Sequence, residues 1–315
     1  VAPFHWQLEF PEVFLDVSKP ESELGFDAVV GNPPYDVIAS KEVGVDLTPL
    51  KNFLRAEPVY GPSFHGKNNL YKLFVCRAVE LLREGGRLGF IVPMPLLGDE
   101  YALGIRKLIV SNGRFTEVHA FPQKDDPRRR VFPDAKLSTV VFGMVKGAGG
   151  EAERFRCVRH PAGSIEEDSP SLLLANAEIQ VYDPENLTIV SCAQEDWDLA
   201  TRMLSTRGFV RLGSLCESFQ GEVNETNERK KGFISDPPSD GKLVMRGSNV
   251  CLYAMRGASQ GEEKFLDRGG FLASKAKGSK GWHSQERRVG FQRSSPQNNF
   301  RRIIAAPIER DTFCL

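Results

Sequence analysis

No uninterrupted apolar run in this 315-residue chain approaches the roughly 20 residues that span a bilayer. No signal-type leader is visible at its start. Those absences exclude a membrane-spanning reading and fit a cytoplasmic location. Cysteine is sparse: Cys76, Cys157, Cys192, Cys216, Cys251 and Cys314 form no C-x-x-C pair, and no histidine lies near them at ligand spacing. Zinc and a disulfide framework are therefore not expected, and a reducing compartment suits the chain. A start methionine is missing. The chain opens on Val1 and closes on the apolar run DTFCL, so a fragment or trimmed chain is expected.

Net charge is also absent, with 41 Lys+Arg against 41 Asp+Glu. The balance hides an asymmetry. Residues 1–200 carry 21 basic against 29 acidic side chains, a net of −8, and residues 201–315 carry 20 against 12, a net of +8. An acidic half joined to a basic half suggests that the second half alone meets a polyanion.

The chain is long enough for about two domains at ~100–200 residues each. Phe26–Val30 is short, apolar and β-branched, which is how a buried parallel strand reads. Asn69–Arg83 has apolar residues at helical spacing, and Gly85-Gly86 ends it. Arg87–Val92 follows as a strand stopped by Pro93 and Pro95. Asp99–Asn112 reads as a helix with Asp99 at its N-cap and Gly113 at its end. Phe115–Phe121 and Leu137–Val145 read as strands, and residues 185–205 as helical around Trp197. Strands alternating with helices predict an α/β sheet with crossover helices. From Arg211 onward glycines and charges are frequent and helical periodicity fades, so a second, mostly β domain is expected. The expected division is 1–146 for a partial catalytic domain, 147–205 for a connector and 206–315 for a partial recognition domain.

The stretch FDAVVGNPPYD, residues 26–36, carries the chemistry. Two prolines in a row stiffen the exit from the strand and hold the preceding residue extended. Asn32 thereby offers its side-chain oxygen in a set direction, and Pro33 displays its carbonyl. Together with Pro34 and the flat ring of Tyr35 they make two converging acceptors beside an aromatic face. In open α/β sheets such strand ends are where ligands bind. A planar aromatic amine needs this arrangement. Its lone pair is spread into the ring, and two acceptors on its N–H groups favour the pyramidal form that attacks. They also stabilise the positive charge that develops on the nitrogen.

FDAVVGNPPY resembles motif IV of the adenine-N6 DNA methyltransferases. The upstream FHWQLEFPEVF (Phe4–Phe14) is similar to the segment preceding motif IV in type IIG restriction–modification enzymes, with the gamma-type motif order. NLYKLF and LLREGGRLGFIVP resemble the family's next helix and strand, and VFPDAKLSTVV (Val131–Val141) its motif VIII. RGSN (Arg246–Asn249) and RVGFQRSSPQNNFRR (Arg288–Arg302) look like parts of its target-recognition region. The resemblance implies the C-terminal half of a Rossmann-like methyltransferase sheet followed by a mostly β recognition domain. It implies methyl transfer from S-adenosylmethionine to N6 of an adenine turned out of double-stranded DNA, at an extrusion cost of a few kcal/mol. Asn32 and the Pro33 carbonyl would hold the amino group, and Tyr35 would stack on the base. The motif VIII aromatic on the other face falls on Phe132. Phe121-Pro122 is a decoy, since only Phe132 is followed at the proper interval by an apolar strand.

The family's glycine-rich cofactor unit and its acidic partner lie before motif IV. Only 31 residues precede Asn32, too few for that unit, so the full-length parent is expected to supply the cofactor site. Family members often carry a nuclease domain, as a fused or associated partner. Glu228-Arg229-Lys230 and Glu262-Glu263-Lys264 have the E-x-K form but no Pro-Asp at short range, and both read as solvated charge clusters. In the basic half, Lys275, Lys277, Lys280, Arg287, Arg288, Arg293, Arg301 and Arg302 are candidate phosphate contacts, interrupted by glycines that let backbone approach closely. Arg246 and Asn249 are the preferred base readers. His5, His65, His119, His160 and His283 show no mutual spacing and read as structural. Two other readings stay open: a methyltransferase acting on RNA or a protein amide, and a catalytically dead DNA-binding remnant.

Overall fold

A computed structural model describes residues 4–38, 44–66, 68–147, 153–237, 239–257, 263–293, 301 and 303–315. Arg302, Glu262 and the stretch 294–300 lie outside the described residues. The chain divides into two units, Val1–Phe209 and Val210–Leu315.

The first unit is α/β. Its strands are β1 (Phe26–Gly31), β2 (Leu82–Pro93), β3 (Gly113–Phe121), β4 (Thr139–Lys146), β5 (Arg154–Arg159) and β6 (Ser171–Ala175). They form one sheet in the order β1-β2-β4-β3-β5-β6. β1 and β2 are parallel, whereas β4 runs antiparallel between β2 and β3. Two short helices precede β1, α1 (Trp6–Glu9) and α2 (Pro11–Phe14). Trp6, Phe10 and Phe14 set their rings against Phe26 at the start of β1, at centroid distances of 5.9, 5.3 and 5.1 Å. Helix α3 spans Thr48–Ala56.

Helix α4 (Leu70–Leu81) crosses from β1 to β2 and buries Tyr71, Val75, Cys76, Ala78 and Val79 at helical spacing. Each fully buried large apolar side chain of this kind contributes about 1.5–3 kcal/mol. Gly85 has φ of +74°, so it turns the chain at the start of β2 where a side chain would be strained. Helix α5 (Leu103–Asn112) leads to β3, and a short 3-10 turn at Glu100–Ala102 precedes it. Asp99 caps that turn by accepting from the Tyr101 N–H at 2.8 Å, as its position suggested. A Cβ on Gly113 would sit 2.0 Å from the Val145 carbonyl, so glycine is needed where β3 meets β4.

One expectation fails here. The stretch 147–205 is no connector: from Arg154 it builds β5, β6, α6 (Asn176–Tyr182) and α7 (Gln194–Ser205). β5 pairs parallel with β3, and β6 pairs antiparallel with β5. Leu172, Leu174, Ile179 and Trp197 join the core of this unit. Strand pairing with a distant partner turned a polar-looking stretch into sheet.

The second unit is built of short strands, as its texture predicted. A four-stranded sheet carries β14 (Phe313–Cys314), β8 (Lys242–Met245), β11 (Phe265–Leu266) and β7 (Ile234–Ser235) in that order. Two pairs add β9 (Val250–Cys251) with β10 (Ala254–Met255), and β12 (Arg288–Phe291) with β13 (Ala305–Ile308). Two short helices, α8 (Glu225–Lys230) and α9 (Arg268–Ala273), accompany them. Its core is small: Val223, Ile234, Val244, Leu266, Phe271 and Phe313.

Candidate active site

β1 ends at Gly31, packed against the Phe90 ring of β2, and the chain leaves the sheet through Asn32-Pro33-Pro34-Tyr35. Pro33 is buried, while Asn32 and Pro34 are exposed. Among the described residues, neither the Asn32 side chain nor the Pro33 carbonyl has a hydrogen-bond partner. Beyond them the backbone is stitched down. The Leu70 N–H donates to the Asp36 carbonyl at 2.8 Å, and the Ile38 N–H to the Asn68 carbonyl at 2.9 Å. Asn69 Nδ2 donates to the Tyr35 carbonyl at 3.4 Å. The two acceptors thus stand on a loop whose far side is anchored to the start of α4.

Tyr35 is half-buried, and its hydroxyl donates to the Ile91 carbonyl of β2 at 3.1 Å. Burial pushes its phenol up to about 12, so the group stays a protonated donor. Phe132, distant in sequence, comes to it: the ring centroids are 6.2 Å apart at an interplanar angle of 65°. The contact is edge to face. Phe121 is instead buried and stacks on His160 at 4.8 Å.

A cavity of about 250 Å³ lies beside this loop, lined by Asn69, Tyr71, Lys72, Pro93, Asp99 and Tyr101 among others. The sequence reading passed over Lys72. It is buried, and its Nζ donates to the His65 carbonyl at 2.9 Å and to the Tyr101 carbonyl. Desolvation lowers its ammonium to about 8. Lys72 thereby ties together the two loops that flank the cavity. Its apolar neighbours in NLYKLF had suggested only a helix face.

The histidines are not all solitary. His119 of β3 and His160, just past β5, bring their rings to a 2.9 Å Nδ1–Nε2 contact. Parallel pairing of two strands distant in sequence brings them together, which linear spacing does not display. Among the described residues no cluster of His, Cys, Asp or Glu could hold a metal ion, and no helix is long and apolar enough to cross a membrane.

The basic candidates of the second unit separate into two groups. Asn249 is 1% exposed. Its Oδ1 accepts from the Arg246 N–H at 2.7 Å, and its Nδ2 donates to the Arg256 carbonyl at 2.8 Å and the Gly257 carbonyl at 3.2 Å. That amide holds a turn together: both of its N–H groups are used, and burial keeps its oxygen away from a base edge. Arg246 reaches Glu225 at 3.4 Å. Arg288 pairs with the buried Glu222 at 2.8 Å and donates to the Thr312 carbonyl at 2.8 Å. Lys275 pairs with the buried Glu228 at 2.8 Å and lies 4.7 Å over the Phe271 ring. Glu228 is therefore no solvated cluster, contrary to the sequence reading. These cations hold the unit together. Lys277, Lys280, Arg287, Arg293 and Arg301 are exposed. Arg287 meets Glu309 at 3.1 Å, and Arg293 meets the Gln220 amide at 3.1 Å. A second cavity, about 380 Å³, is lined by Glu222, Glu228, Lys275, Ser279 and Lys280 among others.

Residues 1–126, which include the whole Asn32 loop, match the Eco57I restriction-modification methylase family. The type II methyltransferase M.TthHB8I of Thermus thermophilus is 38% identical over 130 residues, covering 40% of this chain and 28% of the relative. The type II methyltransferase M.HindII of Haemophilus influenzae is 22% identical over 212 residues, covering 63% of this chain and 39% of the relative. The chain thus spans about a quarter to two fifths of these curated relatives. A solved methyltransferase subunit of a type I restriction-modification system from Streptococcus thermophilus overlaps 52% of this chain and 37% of its own, with 16% identity and a TM-score of 0.37.

Proposed function

We propose that the whole protein transfers a methyl group from S-adenosylmethionine to N6 of an adenine turned out of duplex DNA, within a restriction–modification system. The observation that carries the reading is the pair of acceptors without partners, Asn32 Oδ1 and the Pro33 carbonyl, on an anchored loop beside two aromatic rings. A buried or tied amide there would have left nothing to hold an amine.

The two acceptors receive the two N–H groups of the exocyclic amine and favour its pyramidal form. They then stabilise the charge that develops on the nitrogen, without a strong base. Tyr35 supplies a flat wall, fixed through its hydroxyl at Ile91. A base held between two rings needs them about 7 Å apart and parallel, two contact distances of roughly 3.5 Å. At 6.2 Å and 65° the rings of Tyr35 and Phe132 do not leave that gap. Tyr35 is tethered through its hydroxyl, whereas the Phe132 ring is free to turn about its own side-chain torsions, so Phe132 is the ring that swings aside. Stacking returns about 1–3 kcal/mol per base against the cost of extrusion.

The described residues do not make a complete site for the methyl donor. Those described before β1 form α1, α2 and a 3-10 turn at Glu21–Glu23, with no glycine-rich strand–turn–helix among them. The donor site is that of the whole protein. Lys277, Lys280, Arg287, Arg293 and Arg301 are the exposed cations that would meet the DNA backbone. A nuclease activity, fused or associated, and a cytoplasmic location complete the reading.

The test offers the whole protein duplex DNA, RNA and protein together with donor labelled in its methyl group. Label should enter duplex DNA and be recovered as N6-methyladenine after digestion. Label found only in RNA or in protein amides would replace the acceptor, and DNA binding without transfer would leave a recognition remnant.

A further inference from the structure

Phe132 lies on a segment, Pro122–Ser138, whose one element of regular structure is a 3-10 turn at Pro127–Arg129. Its ring nevertheless meets Tyr35 at a defined distance and angle. Arg130 supplies the order. Its Nε donates to the Lys124 carbonyl at 2.5 Å, Nη2 to the Asp125 carbonyl at 3.3 Å and Nη1 to the Pro133 carbonyl at 3.0 Å. One rigid guanidinium thus gathers carbonyls from both sides of Phe132 in the chain. A lysine ammonium has no planar fork with which to do this.

A second layer backs the first. A Cβ on Gly163 would stand 2.3 Å from the Arg130 carbonyl oxygen and 2.7 Å from the Val131 nitrogen. Only glycine lets these two backbones meet. Arg129 Nη2 also donates to the Pro161 carbonyl at 3.3 Å. The segment carrying Pro161 and Gly163 is held in turn by His160, which is fully buried. The His160 N–H donates to the Ala120 carbonyl of β3 at 2.9 Å. Its ring Nδ1 accepts from the Glu166 N–H at 3.2 Å and lies 2.9 Å from Ser169 Oγ. That places its proton on Nε2, which donates to His119 Nδ1 at 2.9 Å. His119 then carries its proton on Nε2, 2.8 Å from Glu117 Oε1. One set of tautomers satisfies every group, so the network is rigid.

We propose that Arg130, Gly163 and His160 are positioning residues that hold the backbone carrying Phe132 opposite Tyr35, so that its ring can turn onto an extruded base and grip it. The proposal rests on the reading of Phe132 as a base-stacking ring. None of the three touches the base; they act through the loop. A base-gripping ring displaced by about 1 Å costs up to ~10²-fold in turnover.

The experiment is a double-mutant cycle in the whole protein, with unmethylated plasmid DNA as acceptor. Arg130→Lys, Gly163→Val and Phe132→Ala are made singly, and Arg130→Lys and Gly163→Val are each combined with Phe132→Ala. The expected result is a fall of about 10- to 100-fold in kcat for each single variant, with the KM for DNA little changed. In the Phe132→Ala background the other two changes should alter kcat by no more than about twofold. Full additivity would overturn the proposal, because a loss of general structure does not need Phe132. Unchanged turnover in Arg130→Lys would overturn it as well. That arm decides alone if Gly163→Val does not fold, since Arg130 is only half-buried and lysine keeps its charge. Unchanged turnover in Phe132→Ala would instead refute the stacking reading beneath it.

Discussion

Replacing Asn32 by alanine separates chemistry from stability. The side chain is exposed and bonds to no described residue, so the folded state loses nothing by its removal. Such surface changes stay within about ±0.5 kcal/mol. The transition state loses more. One preorganised group aimed at developing charge is worth about 10²–10³ in turnover, or roughly 2.7–4 kcal/mol. The assay pairs two measurements on the whole protein: labelled methyl transfer to unmethylated duplex DNA, and the urea midpoint of unfolding. The expected outcome is a loss of at least about 10²-fold in transfer with an unmoved midpoint. Transfer within about threefold of the parent, less than 1 kcal/mol, would refute the role given to the amide. A large drop in stability would refute the claim that the amide is free.

Lys72→Met should behave in the opposite way. It leaves the His65 and Tyr101 carbonyls without their donor, at about 1–3 kcal/mol each, and a lowered urea midpoint of the first unit would show it. Cys157 is buried in β5, and burial pushes its thiol up to about 12. The unfolded thiol ionises above its ordinary value of 9.0 while the folded one stays neutral. The stability this thiol contributes is therefore complete below that pH and is lost as pH rises, by about 1.4 kcal/mol per pH unit. Urea unfolding at pH 8 and 10 should show a smaller loss in Cys157→Val than in the parent, and equal losses would refute the cause. In the second unit, Lys277→Ala should lower the slope of log affinity for DNA against log salt by about one, with stability unchanged. Lys275→Ala should destabilise the unit instead, because it removes the closer of the two ammonium groups, Lys275 and Lys231, that pair with the buried Glu228 carboxylate.

Within the sheet, local pattern and observed structure agree where neighbours in sequence do the work. The run Phe26–Gly31 forms a strand that ends at the turn its glycine and prolines announce, and α4 buries the face that its apolar spacing marks; the expected burial of that strand does not hold, because it is the edge of the sheet and Val30 is 83% exposed. Where a distant strand does the work, the sequence was silent. Residues 154–175 look polar and connective, yet pairing with β3 draws them into the sheet. The basic half is the sharper case. Arg288 and Lys275 read as surface cations, and each faces a buried carboxylate. Asn249 sits in an apparent loop, and its amide is buried and bonded inside it.

The sequence by itself determined the strand, the diproline exit and the acceptor pair on it, because proline restricts the chain over one or two residues and needs no distant partner. Tertiary structure alone decided which phenylalanine reaches Tyr35, which cations remain exposed and which histidines meet. Those outcomes depend on strand order and on the burial of charge, and both arise only when segments far apart in the chain share one interior.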